Sequence, residues 1–131
     1  KQLYLNTNWG DLDYLLIDMP PGTGDAYLTI LNDLDITKAC LVAVEDSSCI
    51  SDLKRTQALL SKFNVTTLGL IENMSENFDE NGDAIESARI KTELNENILF
   101  SLPRMKRSDF YQELKEINKL KKYFPEKLLE I

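Results

Sequence analysis

Apolar residues fall into short runs closed by polar or turn-forming clusters, and the spacing alternates between strand-like and helix-like. Tyr14–Asp18 is a compact apolar run that ends in an acid and is broken by Met19-Pro20-Pro21-Gly22, which predicts a buried strand entering a loop. Asp25 is placed to cap a helix over Ala26–Leu34, with Leu28 and Leu31 sharing a face. Ala39–Val44 shows no polar alternation, the pattern of a parallel strand covered on both faces. Ser48 or Ser51 starts the next helix, in which Ile50, Leu53, Leu60 and Phe63 recur at helical spacing and Asn64 is the stop. Thr66–Glu72 predicts another strand, ending at Asn73. A polar, turn-rich loop over Met74–Asp83 follows, then a helix over Ala84–Leu94 and a short strand at Ile98–Leu102 closed by Pro103. Asp109–Tyr123 has the pattern of an amphipathic helix with a lysine-heavy face, and Pro125–Ile131 that of a tail or final turn.

Strands alternating with helices imply βαβ crossovers and an α/β fold, a parallel sheet with flanking helices. In such sheets ligands bind outside the carboxyl ends of the strands. Asp18, Glu45-Asp46 and Asn73 are all expected at those ends. Length then bounds the layout: 131 residues suit one domain, 1–131, with no repeat or low-complexity linker to divide it.

The net charge of -7 disfavours nonspecific binding to nucleic acid or an anionic membrane, so neither is an expected partner. No apolar run is long enough to span a bilayer and no signal-peptide core opens the chain, which leaves a cytoplasmic location as the expectation. The sequence starts without Met and is expected to be cut from something longer. With no histidine, His-based catalysis and His metal sites are excluded. Cys40 and Cys49 suit a reducing compartment, and both are expected to fill structural positions, Cys40 in the buried core. Asp79–Asp83 lacks the alternating ligand pattern of a calcium loop and reads as a solvated turn.

The chemistry concentrates in Asp18 and the loop Pro20-Pro21-Gly22-Thr23-Gly24-Asp25. An acid closing an apolar strand can hold Mg²⁺ or position an attacking water. Prolines restrict the loop that follows, while Gly22 and Gly24 let the backbone turn and approach a phosphate closely. The longer run Trp9–Asp25 (WGDLDYLLIDMPPGTGD) resembles the post-switch strand and loop of the Mrp/ApbC-type, MinD/ParA-like P-loop ATPases of the iron–sulfur cluster carrier group. Ile71-Glu72-Asn73-Met74-Ser75 matches that family's ENMS motif. The likeness is close over about Trp9–Ser75 and faint beyond.

This resemblance implies a MinD-like fold that is incomplete on its N-terminal side, with these residues as its C-terminal portion. It implies ATP and Mg²⁺ as cofactors, slow hydrolysis, and a homodimer or a companion subunit. Asp18 would be the catalytic and metal-binding residue. Pro21, Gly22, Thr23 and Gly24 would form the γ-phosphate loop, and the Asn73 amide would contact adenine. A Walker A loop is absent from these residues and would lie about 100 positions upstream, several βα units of ~30 residues away. Family members that carry clusters place a C-x-x-C pair after ENMS, where this sequence has SENFDENGD. No Fe–S cluster is therefore expected on this chain. The alternative is a non-catalytic remnant or interaction module of the same fold. A further consequence concerns Leu15–Ile17: without a neighbouring Walker A strand they would form an unpaired apolar edge, so pairing with another chain or a rearranged sheet is expected.

Overall fold

The computed structural model describes residues 2–20, 22, 24–106 and 108–109. Its elements are α1 (Gln2–Asn6), α2 (Asp25–Asp33), β1 (Lys38–Ala43), α3 (Ser47–Lys62), β2 (Thr66–Ser75), α4 (Ala88–Leu94) and β3 (Ile98–Pro103). The three strands form one parallel sheet in the order β1-β2-β3. The predicted α/β class and parallel pairing are both present.

Sequence chemistry sets most boundaries. Asp46, and not the expected Ser48 or Ser51, starts α3 as its N-cap, its carboxylate accepting from the N–H groups of Ser48 at 2.8 Å and Cys49 at 3.3 Å. Asn64, the predicted stop, lies just past the C-cap with φ +57°, a left-handed conformation that Asn tolerates better than most residues. Ile50 and Leu60 of α3 are buried, with Leu53 half-buried between them, so the helix turns one apolar stripe inward. They meet Leu41 and Ala43 of β1, Leu70 of β2, Ile98 of β3, and Ile90 and Leu94 of α4 in one cluster that Tyr27 and Leu31 of α2 complete.

Several boundaries move for identifiable reasons. Gly24, not Asp25, is the N-cap of α2, and Asp25 enters the first turn, where its charge favours the helix dipole. The buried face of α2 is Tyr27 and Leu31, while Leu28 is half-buried. β2 runs on to Ser75 because β3 continues to pair with it, Ser75 lying opposite Pro103. α4 begins at Ala88 instead of Ala84. An antiparallel bridge joins Phe78 to Ala84, Ile85 N–H donates to Asn77 O, and Ser87 caps the helix through Ile90 N–H at 3.1 Å.

Three expectations fail. Tyr14–Asp18 is not a buried strand: it runs outside the sheet, with Tyr14 65 % and Leu16 91 % exposed. A strand exists only through its partners, and none of the described strands pairs with this segment. Among the described residues β1 is not covered on both faces. Leu41 and Ala43 are buried under α3, whereas Cys40 and Val42, on the alternate side, are exposed among the described residues. Cys40 is thus not a core residue, although neighbouring side chains desolvate its thiol enough to raise its pKa. Cys49 is half-buried and accepts from Val44 N–H at 3.5 Å, in keeping with a structural role. The expected helix over Asp109–Tyr123 and the tail at Pro125–Ile131 lie almost wholly outside the described residues.

Candidate nucleotide site

Between the Leu15–Pro20 segment and the outer edge of β1 lies a cavity of about 680 Å³. Asp18 and Gly22 line it from one side and Ser48 and Cys49, from the first turn of α3, from another. Gly22 has φ +82°, a conformation that glycine alone adopts without strain, and nothing crowds its α-carbon. Asp18 is exposed. Asp18 and Gly22 thus present a carboxylate and a strain-free turn to the cavity that the first turn of α3 also lines. Gly24 stands just beyond as the cap of α2, its carbonyl accepting from Tyr27 and Leu28 N–H. Pro21 and Thr23 lie outside the described residues.

Asn73 is not part of this cavity. It sits near the carboxyl end of β2, half-buried, and its side-chain oxygen accepts from Met74 N–H at 2.9 Å. Met74 has φ +55°, a left-handed conformation uncommon outside glycine. Asp18 and Asn73 thus lie apart, one lining the cavity and the other outside it. Asp18 itself does not end a strand, contrary to its expected position.

Polar contacts tie the strand ends together. Glu45, just after β1, accepts from Asn77 Nδ2 at 2.9 Å. Ser75 O accepts from Arg104 N–H at 3.0 Å. Arg89 at the start of α4 donates to Ser47 Oγ at 2.7 Å. The Ser48 hydroxyl and the Ser48 and Cys49 amides hold Asp46 below the usual carboxylate range, with Arg89 adding a smaller attraction. The sequence reading missed Glu72, whose side chain is fully buried between Ser87 and Ser101. The available signal was an acid at the end of the apolar run Leu68–Ile71, which strand periodicity turns toward the helices.

A single carboxylate suits Mg²⁺, which takes one or two protein carboxylates and fills its shell with water and phosphate oxygens. Asp18 offers one such group beside the cavity. Among the described residues no cluster of three or more Cys, Asp or Glu side chains could cage a metal by protein ligands alone. No described helix is long and apolar enough to cross a membrane.

The parallel sheet with flanking helices puts the chain in the α/β class, in which ligands bind at the carboxyl ends of the strands. The family model for ParA, described as the NUBPL iron-transfer P-loop NTPase, matches residues 1–103, and the chain belongs to this family. The chain is similar to the iron–sulfur cluster carrier protein of Synechocystis sp., 40 % identical over 75 residues, which cover 57 % of this chain and 21 % of that protein. The carrier protein of Escherichia coli K12 is 42 % identical over 74 residues, 56 % of this chain and 20 % of the relative. The iron–sulfur protein required for NADH dehydrogenase of Arabidopsis thaliana mitochondria is 44 % identical over 68 residues, 52 % of this chain and 22 % of the relative. The chain therefore matches about a fifth of the length of these relatives.

Proposed function

We propose that this chain supplies the switch loop and the base-reading residue of a Mg-ATP site in a P-loop ATPase related to iron–sulfur cluster carriers. The observation that carries the reading is the joint lining of one cavity by Asp18, Gly22 and Ser48 in a chain of this family. Asp18 would hold Mg²⁺ or orient the attacking water, and the Pro21–Gly24 backbone would close on the γ-phosphate. Asn73 would read adenine through its carboxamide. Mg²⁺, when bound, neutralises charge on the phosphate oxygens, and the chain's own contribution is positioning and fixed dipoles. The phosphate cradle itself would come from residues outside these 131, on the same polypeptide or on a companion subunit. A homodimer in the cytoplasm completes the reading. Cluster ligands are not expected in this chain.

Mg-ATP at 100-fold over its Kd should stabilise the full polypeptide by about 2.7 kcal/mol in a thermal melt. Absence of any shift there would sink the reading. Asp18→Asn should lower hydrolysis by roughly 10²–10³-fold, the scale of losing one preorganised electrostatic partner. An interaction module is the second reading, favoured by the 91 % exposure of Leu16 and the unpaired outer edge of β1 among the described strands. It predicts no ATP effect and capture of another chain along that edge.

A further inference from the structure

Glu72 immediately precedes Asn73 and is 0 % exposed. Burying a carboxyl group is costly unless donors meet it. Its Oε2 accepts from Ser87 N–H at 2.9 Å and from the Ser101 hydroxyl at 2.8 Å, and its Oε1 has no partner. A leucine would fill this place without desolvating an acid, so packing does not account for the residue.

The two donors belong to different elements. Ser87 caps α4, and Ser101 is a residue of β3 paired opposite Glu72 itself. One oxygen therefore fastens β2, β3 and the start of α4 beside Asn73. The intervening loop is also held across its base, where Ser75 Oγ donates to Ile85 O at 3.3 Å, and at its near end, where Asn77 Nδ2 donates to Glu45. Glu72 closes the far end, at Ser87.

We propose that Glu72 is a positioning residue for the base-reading end of the nucleotide site. By pinning Ser87 and Ser101 it keeps Asn73, Met74 and the 76–86 loop in one arrangement, and so sets the preference for adenine over guanine. A carboxamide reads the adjacent donor and acceptor of adenine only when its own two ends stay in fixed places. The bond from Met74 N–H engages the oxygen end of the Asn73 carboxamide, at a left-handed turn that begins two residues after Glu72. This assignment rests on the Mg-ATP reading above.

The test compares Glu72→Leu, which keeps the volume and removes the acceptor, with Glu72→Gln, which keeps an acceptor oxygen. Binding of ATP and GTP to the full polypeptide is measured by calorimetry, and amide exchange over residues 75–87 by mass spectrometry. Glu72→Leu should lower the ATP-over-GTP affinity ratio by about 10-fold, the scale of removing an orienting partner. It should also expose the 75–87 amides, while Glu72→Gln stays within about twofold of the natural ratio. A folded Glu72→Leu protein with the natural ratio and natural protection overturns the proposal. Should Glu72→Leu not fold, Ser101→Ala removes one donor and is expected to give a smaller loss of the same ratio; an unchanged ratio there overturns the proposal too. If the natural protein binds no ATP, the Mg-ATP reading fails by itself. The exchange arm then decides the pin: lost protection in Glu72→Leu but not in Glu72→Gln supports it, and unchanged protection overturns it.

Discussion

Gly69 shows how much one side chain decides in β2. Its φ is +145°, and a β-carbon built there would lie 2.7 Å from Asn97 O and 2.8 Å from Leu99 Cγ. The strand bulges here, since the register against β1 skips from Thr67 to Gly69. Gly69→Ala forces the Asn97 backbone or Leu99 to move and should destabilise by about 1–3 kcal/mol, measured by urea unfolding. Charged residues act differently. Asp46 is held below its usual pKa chiefly by Ser48, and Glu93 chiefly by its bonds to Lys54 and Arg89. A depressed carboxylate gives stability that is present above its unfolded value and lost as pH falls through its folded value. Unfolding midpoints should therefore hold steady from neutral pH to about pH 5 and decline below about pH 4, near the unfolded carboxylate values. Asp46→Ala should lower the melting temperature and flatten that decline. Both groups face solvent, so salt should weaken the effect.

At the scale of elements, β2 carries the sheet, pairing with β1 on one side and β3 on the other. Leu70 at its centre is 0 % exposed and packs within the helix-facing cluster. Leu70→Ala should cost about 2–5 kcal/mol in chemical denaturation, the range for a buried cavity. Leu16 is the counter-case: an equally apolar residue, 91 % exposed outside the sheet. Leu16→Ser should change the stability of this 131-residue chain by less than about 0.5 kcal/mol. A large loss would mean that the segment is built into the folded core. The two leucines sit in similar apolar runs, LGLI and YLLI, and differ in whether neighbouring strands take up their backbone N–H and C=O groups. Pattern could rank both runs as strands; it could not supply partners. The same limit explains the ends of β2 and α4, where Ser75 pairs with β3 and the Phe78–Ala84 bridge delays the helix.

For the molecule as a whole, the separation of its two stations matters most. Asp18 and Gly22 lie at the cavity beside β1, and Asn73 lies outside it at the end of β2. A nucleotide spanning both would bridge residues 15–20 and the β1 edge. Amide exchange in that segment should therefore slow when Mg-ATP is added to the full polypeptide, and unchanged exchange would argue against a shared ligand. By itself the sequence determined the α/β class, the stop of α3 at Asn64, the family, and the residue types available for phosphate and base contacts. Those features follow from local spacing and from side chains that bond to their own backbone. The tertiary structure decided which apolar runs become strands, that Cys40 and Val42 stay exposed, and that Glu72 is buried against Ser87 and Ser101. These depend on contacts between residues far apart in the chain, such as Glu72 with Ser101, and no local pattern encodes which distant group will arrive.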